Sequence, residues 1–174
     1  MLGSLLKRLL GPRAPAIDAR WVEDMLRLQQ QGSREEAIAR CHAALAREPD
    51  HVDVLNLLAA ALLAQGKARE GLRYLRRAVA LAPSAKAHAH LGSVLAAVGD
   101  LDGAIAAYRA AVAQQPDFID AWNTLAALLK ARARYDEAEA CCIAGLSVDA
   151  GHAGLKHLLA TIVFEQGRVD AAIA

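Results

Sequence analysis

Histidine is the residue type in this chain that could most directly hold a metal ion, and six histidines are spread along its 174 residues. His88 and His90 are two positions apart, which on a helix separates them by about 200° around the axis. His152 and His157 are five positions apart, and His152 falls in a predicted turn. Neither pair can converge on one ion, so the sequence predicts no metal site and histidines that face solvent or line a groove.

Three cysteines could supply nucleophilic or redox chemistry, namely Cys41, Cys141 and Cys142. Their odd number and irregular spacing argue against a disulfide framework and favour a reducing compartment. Cys41 and Cys142 recur at one position of the repeat described below, and we interpret them as small buried hydrophobic residues. A reactive thiol at either position is the alternative.

Enzymatic catalysis would need several convergent groups, and the sequence shows no such set. Asp100, Asp102 and Asp170 stand at predicted helix starts, where the helix dipole favours a carboxylate. No glycine-rich phosphate loop and no Ser–His–Asp arrangement is visible. The chain is therefore predicted to be non-catalytic as given, with no catalytic residue and no cofactor, while remaining compatible with being one part of a larger enzyme.

The composition indicates which elements must position any site. Hydrophobic residues make up 55% of the chain but aromatic residues only 4%, so the apolar content is mainly alanine and leucine. These are strong helix formers, and the predicted class is all-α. A net charge of +1 gives the molecule no electrostatic reason to bind nucleic acid.

Neither a membrane span nor a secretory signal is predicted. The longest apolar run, residues 57–64, is far shorter than the roughly 20 residues that cross a bilayer. The opening "MLGSLLKRLLGP" is interrupted by Lys7 and Arg8, so it lacks the apolar core of a signal peptide. We interpret the protein as cytoplasmic.

A repeat of 34 residues organises the chain. The stretch "LGSVLAAVGDLDGAIAAYRAAVAQQP" aligns position by position with "LAALLKARARYDEAEACCIAGLSVDA", with small residues recurring at the same places. The register gives units 18–51, 52–84, 85–118 and 119–152, and a partial unit 153–174. Each turn inside a unit is predicted where glycine recurs, at Gly32, Gly66, Gly99 and Gly167.

The pattern resembles the tetratricopeptide repeat, a helix–turn–helix unit of about 34 residues. The positions that carry the resemblance are the first aromatic residue of the unit, the leucine–small pair and the later signature of the third unit. The first aromatic residue is Trp21 in unit one and Trp122 in unit four. The leucine–small pair is Leu58–Ala59, Leu91–Gly92 and Leu125–Ala126 in units two to four. The signature of the third unit consists of Ala104, Tyr108, Ala111 and Pro116. The resemblance implies a right-handed superhelical solenoid of antiparallel helix pairs that share a continuous core.

Gly92 is predicted to be a packing glycine at the crossing of two helices. Glycine costs a helix about 1 kcal/mol relative to alanine, so its presence here requires a compensating contact. We expect Ala104 to approach it closely. Gly92→Leu is then expected to overfill the crossing, whereas Gly92→Ala is expected to be mild or stabilising.

The resemblance also implies a concave groove lined by the first helices of successive units, which binds a protein or peptide partner. Its lining would be mostly small, with a few hydrogen-bonding groups and two lysines. The predicted groove residues are Asn56, Lys86, Ala89, Ser93, Asp120, Asn123, Ala127, Lys130, His157 and Thr161. We predict an interaction scaffold with no cofactor and no bound metal.

The alternative function is a substrate-recruiting module of a larger enzyme. The stretch "DAWNTLAALLKARARYDEAE" is similar to the repeats that precede the catalytic domain in O-linked N-acetylglucosamine transferases and related bacterial enzymes. That resemblance implies a bacterial protein glycosyltransferase as one context for the array.

The two ends of the chain differ from the repeats. Residues 1–17 are predicted to form an amphipathic helix and a Pro/Gly linker; the leucines at 2, 5, 6 and 9 are expected to cap the first unit, and membrane contact through residues 1–10 is the less favoured alternative. Unit five stops two residues after Ala172, so the chain is predicted to be a fragment of a longer array. An uncovered strip is expected to drive self-association through this end, formed by Leu155, Leu158, Leu159 and Ile162.

Overall fold

The computed structural model describes residues 17–167, and within that range it contains nine α-helices and no strand. The helices are α1 (Ala19–Gln30), α2 (Arg34–Leu45), α3 (Val52–Ala64), α4 (Ala68–Leu81), α5 (Ala85–Ala97), α6 (Leu101–Gln114), α7 (Ile119–Ala131), α8 (Tyr135–Val148) and α9 (Ala153–Glu165). Short turns join α1 to α2, α3 to α4, α5 to α6 and α7 to α8 as antiparallel pairs. The predicted fold class, an all-α solenoid of helix pairs, is confirmed.

Each turn inside a helix pair reverses the chain through one residue with positive φ. Gly32, Gly66 and Gly99 have φ values of 81°, 76° and 85°. In the last pair the same position holds Ala133, with φ 55°, where an L side chain is strained. The residue after each of them donates its backbone N–H to a carbonyl five residues earlier, as Lys67 does to Leu62 at 3.0 Å. These bonds satisfy carbonyls that the helix end leaves free.

Side-chain caps begin several helices. The Asp100 carboxylate accepts from the backbone N–H of Gly103 at 3.0 Å, and Ser84 Oγ accepts from Ala87 at 3.1 Å. His152 Nδ1 accepts from the backbone N–H of Leu155 at 3.1 Å. The interpretation of Asp100 as a helix-start residue is therefore confirmed, whereas Asp170 lies outside the described residues.

Small residues let the paired helices approach closely. A Cβ added at Gly92 would lie 2.7 and 2.8 Å from two carbons of the Tyr108 ring and 3.3 Å from the Ala104 carbonyl oxygen. The crossing of Gly92 with Ala104 is confirmed. The expectation that Gly92→Ala is mild or stabilising did not include the Tyr108 ring, which is buried and would have to shift to admit even a methyl group.

The core runs between units, and no charged or polar residue is buried in the part of the chain that the structure describes. One cluster joins α6, α7, α8 and α9 around Tyr108, Leu125 and Leu155. Another joins α1 to α3 around Met25, Cys41 and Leu58. Each helix makes substantial contacts only with the next helix along the chain or the next but one.

Polar pairs repeat between units on the exposed surface. Arg132 donates to the Asp102 carboxylate at 2.8 Å, and one unit later Gln166 donates to Asp136 at 3.0 Å. Such exposed pairs contribute little to stability, typically about 0–1 kcal/mol. They show that the same junction geometry recurs along the array.

The expected apolar strip on α9 is wrong for two of its four residues. Leu155 and Ile162 are fully buried because α9 packs against both α7 and α8. Leu158 and Leu159 are half-buried. The exposed apolar side chain of this helix is instead Phe164, at 63% exposure.

Besides that for Asp170, two further predictions fall outside the described residues. These are the cap formed by the leucines of residues 1–10 and the crossing residue Ala172 of unit five. Among the residues that the structure does describe, no helix is both long enough and apolar enough to cross a membrane.

Candidate functional site

The predicted groove residues all lie on the first helices of the pairs, α3, α5, α7 and α9. Because these helices succeed one another along the array, their exposed positions can form one surface, which we call the first-helix surface. None of the ten side chains is buried. Exposed are Lys86, Ser93, Asp120, Ala127 and His157, and half-buried are Asn56, Ala89, Asn123, Lys130 and Thr161.

A cavity of about 320 Å³ opens on this surface at its N-terminal end. It is formed jointly by α1, α3 and α5, so three successive first helices contribute to one depression. We call it the N-terminal cavity; its lining residues are Val22, Leu26, Gln29, Asp53, Asn56, Leu57, Ala60 and His90. It is a shallow, open depression whose accessible surface is mainly apolar, with polar groups from all three helices.

Of the predicted groove residues, the N-terminal cavity contains Asn56. Sequence reasoning missed the contribution of α1, because unit one departs most from the repeat pattern. The signal was nevertheless present: stepping back 34 residues from Asn56 and Ala60 gives Val22 and Leu26. Leu26 is 44% exposed, so its side chain is accessible from solvent.

A hydrogen bond holds one wall of the cavity in place. Gln29 Nε2 donates to the Leu57 carbonyl oxygen at 2.9 Å, joining α1 to α3. The amide of Gln29 is therefore committed to the fold, while Asn56 makes no hydrogen bond of this kind in the described chain. Asp53 is the carboxylate of the lining, and it has no ion pair among residues 17–167.

The C-terminal part of the first-helix surface is more polar and partly self-satisfied. Lys130 Nζ lies 2.8 Å from a Glu165 carboxylate oxygen, so one of the two predicted groove lysines is neutralised. Thr161 Oγ1 donates to the His157 carbonyl oxygen within its own helix at 2.8 Å. Asn123 lies against Gly154, where an added Cβ would be 3.1 Å from the Asn123 Oδ1.

These helix pairs, with their glycine turns and small crossing residues, match a sequence model of the tetratricopeptide repeat over residues 28–93 and 95–162. The chain belongs to the tetratricopeptide repeat family.

Solved tetratricopeptide repeat structures have the same fold. The crystal structure of MamA superposes with a TM-score of 0.75 at 21% identity, covering 88% of this chain and 84% of that one. YrrB, described as a tetratricopeptide repeat protein with an unusual peptide-binding site, gives a TM-score of 0.73 at 17% identity over 88% of this chain and 80% of its own. A repeat protein from Parabacteroides merdae gives 0.75 at 19% identity, over 87% of this chain and 60% of its own. None of the curated proteins matches the chain significantly.

The cysteines of this tetratricopeptide repeat array are placed for packing. Cys41 and Cys142 are fully buried, and burial raises the pKa of each thiol to about 11. Burial also raises the pKa of the half-buried Cys141. Since the thiolate is the nucleophile, thiols with raised pKa values react slowly at neutral pH. The interpretation of Cys41 and Cys142 as buried hydrophobic residues is confirmed.

The side chains of the first-helix surface are of types that can bind a ligand through apolar contacts and hydrogen bonds. Within residues 17–167, no three histidine, cysteine, aspartate or glutamate side chains are grouped closely enough to hold a metal ion. What the first-helix surface offers is an apolar depression with amide, imidazole and carboxylate groups at its edge. Chemically, such a depression can accept an apolar group, and the polar groups at its edge can form hydrogen bonds that orient it.

Proposed function

We propose that this chain is an interaction scaffold that binds a peptide or protein segment on its first-helix surface, with the N-terminal cavity as the main anchor point. The observation that carries the proposal is the joint lining of one apolar cavity by α1, α3 and α5. A surface built from three separate helices is fixed by the core beneath it, so it is preformed and loses little entropy when a partner binds.

The partner's chemistry follows from the two parts of the surface. Leu26, Val22 and Ala60 favour an apolar side chain at the N-terminal end. Beyond it, the remaining predicted groove residues present small side chains and hydrogen-bonding groups. A segment with an apolar anchor followed by polar residues, held in an extended or helical form, fits this order.

The predicted residues keep distinct roles in this proposal. Asn56 lies in the cavity and can hydrogen-bond the backbone of a bound segment. Lys86 and Asp120 are exposed and have no ion pair in the described part of the chain, so they select charge along the segment. Ala89, Ser93 and Ala127 leave space for the segment. The polar, C-terminal end of the first-helix surface consists of Asn123, Lys130, His157 and Thr161. The alternative role, as a recruiting module of a glycosyltransferase, is favoured by no observation in the structure or the comparisons.

The test is a selection of peptides from a random library against the full chain. Affinities of the selected peptides are then measured by fluorescence anisotropy for the unchanged chain and three variants. Leu26→Gln is expected to weaken binding about tenfold, which corresponds to about 1.4 kcal/mol. Asn56→Ala is expected to weaken it by a smaller factor.

The matched control is Leu81→Gln. Leu81 is also 44% exposed, but it lies at the end of α4, outside the cavity lining. It is expected to leave the affinities unchanged. Selected peptides that respond equally to Leu26→Gln and Leu81→Gln, or to neither, would show that partners bind elsewhere.

A further inference from the structure

We propose that the leucine-rich segment at residues 1–10 of this chain occupies its own N-terminal cavity and competes with the external partner. The inference rests on the proposed function, since it requires the cavity to accept leucine side chains. It differs from the cap expected from the sequence, which would cover the outer edge of unit one instead. Residues 1–16 lie outside the described residues, so their position is the content of the proposal.

The apolar pattern of the segment matches the cavity. Its leucines stand at positions i, i+3, i+4, i+7 and i+8 of a helical pattern, which places them on one face: Leu2, Leu5, Leu6, Leu9 and Leu10. Binding of an amphipathic helix by its apolar face in a hydrophobic groove is one of the recurring modes of peptide recognition. The cavity supplies the complementary surface through Val22, Leu26 and Ala60.

The charges also match. Lys7 and Arg8 stand beside the leucine face of the segment. The carboxylate in the cavity lining belongs to Asp53, which has no ion pair within residues 17–167. A basic residue of the segment can therefore supply the counter-charge that the described structure lacks.

The chain is long enough to make the connection. Residues 11–16 span at most about 20 Å when extended. Val22 and Leu26 lie only about 5–11 Å along the axis of α1 from its first residue, at a rise of about 1.5 Å per residue. Because so few residues join the segment to the array, its local concentration near the cavity is on the order of millimolar. Even modest intrinsic affinity then gives high occupancy.

The outer edge of unit one is the competing location, and the exposure of its side chains favours the cavity. Ile17, Trp21, Ile38 and Leu45 are already half-buried around Met25. Leu26 in the cavity is 44% exposed, more than any of these four side chains, so covering it removes a larger part of that one side chain from water.

The experiment uses a fluorescent peptide with the sequence of residues 1–12 and full-length proteins only. It is titrated into the unchanged chain, the double variant Leu5→Gln/Leu6→Gln, and the control Ser4→Gln, which alters a residue off the leucine face. The double variant should bind the peptide at least tenfold more tightly than the other two, because its own segment no longer competes. Adding Leu26→Gln to it should abolish that gain, whereas adding Leu81→Gln should not.

The remaining outcomes overturn the proposal in distinguishable ways. Equal affinity for the unchanged chain and the double variant would mean that the cavity binds peptides but is not occupied by residues 1–10, which leaves the proposed function intact. Binding that ignores Leu26→Gln would locate the segment at the outer edge. No binding to any protein would also end this inference, and the library-selected peptides would then decide the proposed function separately.

Light scattering and vesicle binding complete the test. The unchanged chain should keep a monomer mass as its concentration rises. Dimers that disappear in the Leu5→Gln/Leu6→Gln variant would mean that the segment occupies a second copy, contradicting the intramolecular arrangement. Loss of binding to anionic vesicles in that variant, with no peptide binding, would assign the segment to a membrane surface.

Discussion

The helix crossings of unit one and unit three use opposite solutions at the same two repeat positions. In unit three the first helix contributes Gly92 and the second contributes Tyr108, whose ring lies directly over the glycine. In unit one the corresponding residues are Met25 and Cys41, both fully buried in one cluster. The large side chain therefore comes from the second helix in one unit and from the first helix in the other.

In units one to three the combined size of the two residues varies less than the size of either residue alone. Unit four is the exception, because its corresponding pair, Ala126 and Cys142, is small on both sides and fully buried. Unit two has an intermediate combination, Ala59 with Leu75, and both are buried in one cluster. Protein interiors are close-packed, so a volume lost on one side of a contact must be supplied on the other. The departure of Met25 from the repeat pattern is then a compensated change.

The largest expected effect comes from removing the large residue of unit one. Met25→Ala leaves Cys41 facing a void, and a buried methionine truncated to alanine typically costs about 2–5 kcal/mol. Urea denaturation should show this loss in the free energy of unfolding. Thiol modification of Cys41 in the native state should also become faster, since its burial is reduced. A loss below about 1 kcal/mol would mean that α1 and α2 simply move together.

In unit three, Gly92→Ala is expected to change the free energy of unfolding by less than Met25→Ala does, but its sign tests the packing directly. Gly92→Ala gains up to about 1 kcal/mol of helix propensity, but its methyl group meets the buried Tyr108 ring, and overpacking typically costs about 1–3 kcal/mol. We expect net destabilisation. In a Tyr108→Leu background, which imitates the combination of unit two, the same substitution should become stabilising.

The double-mutant cycle of Gly92→Ala and Tyr108→Leu measures this change of sign directly. Residues in contact usually couple by about 0.5–3 kcal/mol. Additive effects would show that the two positions adjust independently, and the idea of a shared volume would be abandoned.

The smallest expected change in stability concerns the turns inside the helix pairs rather than the helix crossings. Ala133 has a positive φ at the position where the other described units have glycine. Ala133→Gly should relieve strain and stabilise the protein by about 1 kcal/mol. Gly66→Ala, the reverse change at the matching turn, should destabilise it by a similar amount. Thermal unfolding of both variants provides the check, and a destabilised Ala133→Gly protein would show that chain entropy outweighs strain at this turn.

Sequence reasoning could predict the fold because the repeat combines many weak signals in one register. The glycine turns, the small crossing residues and the alanine–leucine content all indicate the same helix pairs. It could not predict that a methyl group at Gly92 would meet an aromatic ring, since this depends on where the Tyr108 side chain lies. It was also wrong for Leu155 and Ile162, because their burial depends on α9 contacting α7 and α8 together.

The candidate site was only partly predictable for a related reason. Counting along the repeat identified exposed or half-buried positions on α3, α5, α7 and α9, and Asn56 proved to line the cavity. Position alone did not show that Lys130 would pair with Glu165 from the next unit. Val22 and Leu26 were missed because unit one was judged by its irregular signature residues, although its register was intact.

The restriction of contacts to helices close in sequence has a consequence for how the molecule folds and opens. Every contact closes a short loop, so the entropy lost before native contacts form is small and folding should be fast. The same locality divides the array into coupled segments whose opening begins at the ends. Amide protons of α5 to α7 should therefore exchange with solvent more slowly than those of α1 and α9. A partner that binds across α1, α3 and α5 would protect the N-terminal end most.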